Sequence, residues 1–274
     1  MDILRLRYLW YTLSGLLMAL SILAMVVYGL KFGIDFTGGT LLELHFTAER
    51  PAVSTVEEQL KPLNLGEIQI EPVNEDSYII KTQFIQDDQR VAILDALGDG
   101  VVEDSFETIG PTIGEELSRK AITAVIMVVL AIVLYIAWAF RGVTKGPVPA
   151  WAFGLSAVVA LVHDIIIPLG VFVVLGEWLG VELNVMFITA LLTILGFSVH
   201  DTIVIFDRIR ENLRRSSATS FAGIIGESIQ QTVMRSLNTS VTVIIVLAVL
   251  LLFGGASTFY FVLALMIGIT VGTY

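Results

Sequence analysis

The sequence predicts a polytopic α-helical membrane protein with one folded α+β domain between its first two membrane spans. Three observations carry this prediction: 55% of the residues are hydrophobic, only 15% are charged, and the mean hydropathy is +0.83. About a quarter of the residues of an ordinary soluble domain are charged, so this composition indicates an integral membrane protein. The chain has no cysteine and only three histidines, so we predict no disulfide, no metal site and no cofactor.

Apolar runs of about 20 residues, the length that crosses a bilayer, mark the candidate spans. They lie at 8–30, 122–140, 149–175, 183–206, 237–253 and 259–274. The first run is too long for the apolar part of a signal peptide and no small-residue cleavage site follows, so we expect a retained first span. The last run is short and ends in GITVGTY, so we expect the natural polypeptide to continue beyond Tyr274.

The basic residues predict the orientation, because cytoplasmic loops carry an excess of lysine and arginine. Nine of them precede span 1 or lie between spans 2 and 3 or spans 4 and 5: Arg5, Arg7, Arg141, Lys145, Arg208, Arg210, Arg214, Arg215 and Arg235. The segment 33–118 instead holds 18 of the 26 acidic residues and only four basic ones. We therefore predict that both termini and loop 207–236 are cytoplasmic, and that nucleic acid is not a partner.

The predicted domains are 1–31, a first helix with a cytoplasmic N-terminus; 32–118, an extracytoplasmic domain; and 119–274, helices 2–6. Within 32–118, alternating or β-rich runs at 39–46, 68–70, 78–82 and 101–108 predict strands. Runs at 54–63, with Ser54 as its N-cap, and at 87–97 predict helices. The order βαββαβ is that of the ferredoxin-like split unit; the alternative is an irregular Ω-type loop.

The segment FGIDFTGGT follows span 1 directly and contains Gly33, Asp35, Phe36, Gly38 and Gly39. Two adjacent glycines permit positive φ or a close backbone approach, and an aspartate of this kind can cap neighbouring backbone. A tight turn that leads into the first strand accounts for these residues without any binding role. No Gly-Lys-Ser/Thr follows, so the segment is not a phosphate loop.

Asp164 lies near the middle of the third predicted span, about 22 Å along the helix from Pro149 at 1.5 Å per residue. Acids at this depth are costly, rare and usually functional. Pro168 follows four residues later and removes one helical hydrogen bond. We predict that Asp164 carries protons; the alternative is a structural acid that bonds a neighbouring helix and never changes state.

A second acid, Asp201, lies toward the cytoplasmic end of the fourth span. With Ser198, Thr202 and Ile205 it forms an i, i+3, i+4, i+7 stripe on one helical face. A proton path and a purely structural stripe both account for it. The following DRIREN is typical of an interfacial anchor, in which Asp207 and Arg210 attract at i, i+3.

His163 and His200 each precede one of these acids. Neighbouring helical residues point about 100° apart, so we predict packing roles for both histidines and no His–Asp pair within one helix. The hydroxyls and amide at 238–242 are expected to bond span 4. Gly268 and Gly272 form a small-xxx-small packing face on span 6.

Taken together, these motifs resemble the SecF members of the SecD/SecF family, within the RND transporter superfamily. The resemblance covers the whole chain and rests on FGIDFTGGT, FETIGPTIGEEL, VHD in span 3, GFSVHDTIVIFDRIREN and SIQQTVMRSLNTS. It implies a six-helix RND-type transmembrane bundle in the bacterial cytoplasmic membrane. The implied partners are SecD, the SecYEG channel, a translocating preprotein, protons and membrane lipid.

The resemblance also implies a function: proton flow that pulls a preprotein across the membrane after the SecA step. Asp164 matches the family acid associated with proton transport, and Asp201, Asp207, Arg208 and Arg210 match the span-4 signature. His200 stands where many relatives carry asparagine, and we include it with Ser198 and Thr202 in the predicted pathway. No hydrolytic nucleophile is visible, so an enzyme is not predicted; the alternatives are an RND-type exporter of small molecules or lipid, and a passive scaffold.

Overall fold

The computed structural model describes residues 7–73, 75–98, 100–140, 149–215 and 220–274. The chain forms two compact units. One combines the N-terminal segment through Lys31 with Thr123–Tyr274, and the other is Phe32–Ile122. Arg5, Arg141 and Lys145, which contributed to the predicted orientation, lie outside the described residues.

The helices and strands follow one another along both units. In chain order they are α1 (Arg7–Tyr28), α2 (Ile34–Thr37), β1 (Gly39–Phe46), α3 (Val53–Leu60), β2 (Gln69–Pro72), β3 (Ser77–Thr82), α4 (Asp87–Leu97), β4 (Val101–Ile109), α5 (Pro111–Phe140), α6 (Ala150–Leu179), α7 (Val185–Arg215), α8 (Phe221–Phe253) and α9 (Ala256–Thr273).

The unit Phe32–Ile122 contains a four-stranded sheet in the order β2-β3-β1-β4, in which every neighbouring pair is antiparallel. Alternate β1 residues, Leu42 and Leu44 among them, are fully buried. They share one core with Ile80 of β3, Val56 of α3 and Ile93 of α4. Burying a side chain of this size contributes about 1.5–3 kcal/mol, so the alternation in TLLELHF fixes which face of the sheet the helices cover.

The start of α3 differs from the prediction. The helix begins at Val53, and Ala52 is the N-cap without a side-chain hydrogen bond. Ser54 therefore lies inside the helix, and its predicted capping role is wrong, because extended Ala52 places the chain in helical geometry two residues earlier. The helix also tightens into a 3₁₀ turn over Lys61–Leu63, where Pro62 has no N–H for an α-helical hydrogen bond.

An ion pair joins α4 to β4 on this unit. Arg90 donates from Nε and Nη2 to the two carboxylate oxygens of Glu103, at 2.8 and 2.7 Å. Its guanidinium also lies 4.8 Å from the centroid of the Phe106 ring. The hydrogen bonds to Glu103 raise the pKa of Arg90 above its ordinary value, so Arg90 stays positively charged throughout the physiological pH range.

The glycines of FGIDFTGGT lie where two backbone segments meet. Gly38 has φ 72° and ψ 161°, and a Cβ on it would lie 2.8 Å from Pro111 Cα. Gly114 approaches from the other side, since its Cβ would lie 2.7 Å from Gly38 N. Gly39 has φ 139°, and a Cβ on it would lie 2.9 Å from the Thr82 carbonyl oxygen. The predicted positive φ and close approach are confirmed, and two motifs separated by about 70 residues in sequence are in contact.

Replacing Gly38 by alanine is expected to destabilise the unit Phe32–Ile122 strongly. The φ/ψ region of Gly38 costs about 1–3 kcal/mol for other residues, and the added methyl would also collide with Pro111 backbone. Amide hydrogen exchange of β1 in the full chain measures the effect. Gly100→Ala is the matched control, because its Cβ would meet only Thr47 Oγ1 at 3.8 Å; equal protection in both variants would contradict the prediction.

The other unit is helical, and five of the described helices are long and apolar enough to cross a membrane: α1, α5, α6, α7 and α8. The apolar helix within α9, Ser257–Thr273, is shorter than that length. The helices also exceed the predicted apolar runs, since α5 begins at Pro111, α7 continues to Arg215 and α8 begins at Phe221. Hydropathy marks only the part of a helix that lies in lipid, and the backbone hydrogen bonds continue through polar residues.

The core of this helical unit lies between α6, α7 and α9. Phe172 of α6 and Phe187 of α7 contact each other with ring centroids 4.5 Å apart. Leu191 and Ile194 of α7 pack in the same cluster as Leu265 of α9. This packing fixes the helices that carry the two membrane acids.

Candidate functional site

Asp164 lies inside the helical unit, with 4% of the residue exposed. Ser198 Oγ of α7 donates a hydrogen bond to Asp164 Oδ2. Pro168 lies inside α6 and has no N–H to donate, so the Asp164 carbonyl one turn earlier lacks its usual helical hydrogen bond. The acid is therefore held by a neighbouring helix and is not exposed on the outside of the unit.

His163 bonds the acid next to it. Its Nδ1 lies 2.8 Å from Asp164 Oδ1, so the prediction that these neighbours do not pair is wrong. Their Cβ atoms point apart on a helix, but the imidazole is long enough to reach the neighbouring carboxylate. A hydrogen bond to a buried carboxylate stabilises it by more than the conformational free energy that the two side chains lose in turning toward each other.

Asp201 lies in a different environment, on the wall of a cavity of ≈ 770 Å³ between α7, α8 and α9. Hydroxyl groups of three helices line the same cavity: Thr202, Thr232, Ser236, Ser240, Thr270 and Thr273. Ser236 Oγ is buried on this wall, beside the Asp201 carboxylate. The rest of the cavity wall is mainly apolar. Asp201 is the one acidic side chain among the described residues that line it.

The predicted stripe on α7 divides between these two environments. Ser198 faces Asp164, whereas Asp201, Thr202 and Ile205 face the cavity. Gly272 of α9 lies beside both environments: it lines the cavity, and a Cβ on it would lie 3.4 Å from Asp164 Oδ2. A single glycine thus lies against the buried acid and the cavity that contains the second acid.

The small-residue face of α9 is confirmed. A Cβ on Gly268 would collide with the Ile194 side chain of α7, and one on Gly272 would contact Asp164 and Ser198. These glycines let α9 approach α6 and α7 closely enough to cover Asp164.

His200 is next to Asp201 in the chain but does not share its cavity. The residue is exposed on the helical unit and is not among those lining the cavity. The structure therefore brings Ser198, Asp201 and Thr202 to the two environments but leaves His200 on the outer face of α7.

The DRIREN segment forms the C-terminal turns of α7 and is held by ion pairs. Arg210 Nη2 lies 2.6 Å from Asp207 Oδ1, which confirms the predicted i, i+3 attraction. Glu211 is paired with Arg208 at 2.5 Å and with Arg215 at 2.8 Å.

The hydrogen bonds that α8 makes with α7 and α9 differ from the prediction. Asn212 of α7 donates to Ser228 Oγ at 2.8 Å and to Gln231 Oε1 at 3.1 Å on α8, a contact that the sequence did not reveal. The predicted bonds from 238–242 to α7 are wrong. Thr239 and Thr242 donate to carbonyls of their own helix, and Ser240 accepts from Thr273 of α9 at 2.8 Å.

These features define a class of protein: a multi-span helical membrane protein with two acids among its spans and an α+β unit inserted after the first helix. Among the described residues, no group of three or more His, Cys, Asp or Glu side chains is placed to hold a metal. The polar side chains around the two acids are carboxylates, hydroxyls and an imidazole, which are groups that can donate or accept protons.

Comparison with known proteins identifies the family. The model of "Protein export membrane protein SecD/SecF, C-terminal" matches residues 90–274, and that of the "SecD/SecF GG Motif" matches residues 23–49. The chain is 38% identical to the protein translocase subunit SecF of Thermobaculum terrenum, over all of this chain and 89% of that protein. It is 35% identical to the protein translocase subunit SecF of Anaerolinea thermophila, over all of this chain and 90% of that protein. The chain belongs to the SecD/SecF family.

Longer relatives contain this chain as a part. It is 34% identical to the protein translocase subunit SecDF of Brucella abortus, over 98% of this chain and 35% of that one. The crystal structure of SecDF from Thermus thermophilus superposes with a TM-score of 0.84 at 34% identity, and this chain spans 37% of its length. The fold described above is thus similar to about a third of an SecDF chain.

Proposed function

We propose that this chain is a SecF-type auxiliary subunit of the bacterial Sec translocase, and that with SecD it uses the proton motive force to assist preproteins through SecYEG after the SecA step. The family membership supports the protein-export role. The observation that carries the proton coupling is the placement of two acids, Asp164 and Asp201, within a unit of apolar helices. Charge at bilayer depth costs at least a few kcal/mol, so acids there are kept where ions or protons pass.

In this proposal the proton route includes the cavity and the buried acid beside it. Asp201 and Thr202 contact the cavity, Gly272 lies between the cavity and Asp164, and Ser198 orients the Asp164 carboxylate. His200 is left out of the route because it is exposed outside the cavity. When a proton moves between these groups, the charge next to α9 changes. This change in charge would alter how α9 packs against α6 and α7.

We further propose a six-span bundle with a ferredoxin-like extracytoplasmic domain. The shorter α9 completes the six spans, and the sheet order β2-β3-β1-β4 with α3 and α4 as connections supports the domain assignment. The orientation follows from charge: 33–118 holds 18 acids and four basic residues, whereas basic residues predominate before span 1, between spans 2 and 3 and between spans 4 and 5. The large loop is then outside and both ends of the chain described here are cytoplasmic.

The exposed apolar faces of α1, α5 and α8 are the surfaces available to SecD and to lipid in this proposal. Val26 of α1, Trp138 of α5 and Leu252 of α8 are among the large apolar residues that remain exposed on the chain alone. The proposed role is transport by conformational change, without a hydrolytic step of its own.

Asp201→Asn tests the proposal. Export of a preprotein into inverted membrane vesicles is measured with and without an uncoupler, for vesicles that contain SecD, SecYEG and either form of the chain. We expect the uncoupler-sensitive part of the export rate to fall by about 10²-fold or more, the scale of a lost proton-transfer group, while the ATP-driven part is unchanged. Glu227→Gln is the control, because this acid of α8 is exposed and lies outside the cavity lining.

Two outcomes would contradict the proposal. Unchanged uncoupler sensitivity in Asp201→Asn, with Asp164→Asn equally normal, would favour a passive scaffold. Co-purification of the chain with an outer-membrane channel, and without SecD and SecY, would favour a small-molecule or lipid exporter.

A further inference from the structure

The imidazole of His163 has one nitrogen in use and one that is buried without a partner. Nδ1 lies 2.8 Å from Asp164 Oδ1. Nε2 is buried, and no hydrogen-bond partner for it occurs among the described residues. Buried polar atoms are nearly always paired, so an unpaired ring nitrogen beside a membrane acid requires an explanation.

The two oxygens of Asp164 are already occupied in the same cluster. Oδ2 accepts from Ser198 Oγ, and Oδ1 faces His163 Nδ1. A carboxylate that accepts two hydrogen bonds is stabilised in its charged form. When Nδ1 carries the imidazole proton, Nε2 has a free lone pair and no partner among the described residues, so it can accept an incoming proton.

We propose that His163 Nε2 is the atom on which this site takes up its proton, with Asp164 as its fixed counter-charge. This inference rests on the proposed proton coupling and specifies where the proton is held. In the unloaded state the imidazole is neutral and the carboxylate ionised, so the pair carries one negative charge. The Nε2 lone pair forms an N–H bond with the incoming proton, and the pair becomes an imidazolium beside a carboxylate, with no net charge. Release breaks the same N–H bond and restores the first state.

The surroundings of the pair support uptake at the histidine. The side chain of His163 is 14% exposed, against 5% for Asp164, although Nε2 itself is buried. Its ring contacts the Tyr274 ring edge to face at 5.8 Å, and Tyr274 lines the cavity that contains Asp201. The imidazole therefore contacts a residue, Tyr274, that lines the cavity of the proposed proton route.

The other groups on the helices packed against α6 do not replace this acceptor. Tyr274, which follows α9, and Asp201 of α7, one turn beyond Ser198, are the titratable side chains on the adjoining cavity wall. On the α1 side, the residue that meets α6 beside Gly170 is Ser21, which carries no charge. The variants below keep Tyr274 and Asp201, so a change in proton uptake is attributable to the His163–Asp164 pair.

Nitrogen NMR of ¹⁵N-histidine-labelled full chain, reconstituted with SecD, locates the proton directly. The His163 signals are those missing from the spectrum of His163→Asn. We expect Nδ1 to stay protonated as the pH is lowered, and Nε2 to change from an unprotonated to a protonated ring nitrogen. An unprotonated Nε2 throughout, with a protonated-carboxyl infrared band that is absent from Asp164→Asn, would place the proton on Asp164 and overturn the inference while preserving the proposed function. No protonation change at either group would overturn both.

Activity separates proton uptake from positioning. Asparagine can place an amide N–H where Nδ1 lies and so keep the hydrogen bond to Asp164, but it has no atom that gains a proton near neutral pH. We expect His163→Asn to retain assembly with SecD and ATP-driven export, while its uncoupler-sensitive export rate falls by about 10²-fold or more. His163→Phe, which removes both nitrogens, should lose at least as much. Wild-type gradient-dependent export by His163→Asn would show that the histidine only positions Asp164.

Discussion

Replacement of Asp164 by asparagine is expected to abolish the gradient-dependent part of preprotein export and to leave the chain folded and assembled. Asparagine has nearly the same shape and can still accept the Ser198 hydrogen bond, so the packing of α6, α7 and α9 around a site that is 4% exposed is retained. It cannot carry the negative charge that the proposed proton-loaded pair requires. Without that counter-charge the proton-transfer step at His163 is lost; loss of such a step costs about 10²–10⁴-fold in rate, so the uncoupler-sensitive export should fall to the background level.

The measurement is export into inverted vesicles with and without uncoupler, together with the amount of SecD that co-purifies. Ser198→Ala is the matched control: it removes one hydrogen bond to the same carboxylate but keeps the acid, so a smaller loss is expected. Asp164→Asn vesicles that still lose export on addition of the uncoupler, with SecD bound, would refute a proton role for this acid. Failure of SecD to co-purify would instead show that Asp164 acts through assembly.

Replacement of Gly170 by alanine is expected to separate α1 from α6. A Cβ on Gly170 would overlap the side chain of Ser21 and lie 2.5 Å from Ser21 Cα, and Ser21 is itself 7% exposed. The colliding atoms include backbone of α1, so a rotamer change cannot relieve the overlap. Overpacking of this kind costs about 1–3 kcal/mol or more.

Gly154→Ala on the same helix is the control, because no atom lies within 4 Å of its Cβ position. The thermal midpoint of the purified chain in detergent should fall by several degrees in Gly170→Ala and stay unchanged in Gly154→Ala. Disulfide cross-linking between one cysteine introduced in α1 and one in α6 gives a second measure, with no background from the cysteine-free chain. Equal cross-linking in both variants would contradict the proposed separation.

The local features of the chain could be predicted because each depends on a few neighbouring residues. The alternation at 39–46 predicts β1, and the structure buries Leu42 and Leu44 on one side. The glycine pair 38–39 predicts positive φ, which both residues adopt. Asp207 and Arg210 pair as their spacing indicates, because one helical turn brings i and i+3 together whatever the tertiary fold.

Contacts between side chains were predicted less well. Periodicity gives the direction of a Cβ atom but not the position of a polar group at the end of the side chain, so the His163–Asp164 bond was missed. The expected bonding of 238–242 to α7 failed for a related reason. Those hydroxyls can donate to carbonyls one turn back on their own helix, and Ser240 bonds α9 instead.

The sequence alone determined that this is a membrane protein with a folded acidic domain and two acids in apolar surroundings, since hydropathy, charge and turn chemistry are properties of short segments. Tertiary structure decided how the two acids differ. Packing of α6, α7 and α9 closes Asp164 behind Ser198, His163 and Gly272, whereas the gap between α7, α8 and α9 leaves Asp201 on a cavity wall. The environment of a buried charge depends on which helices approach it and how closely, and small residues far apart in sequence set that approach.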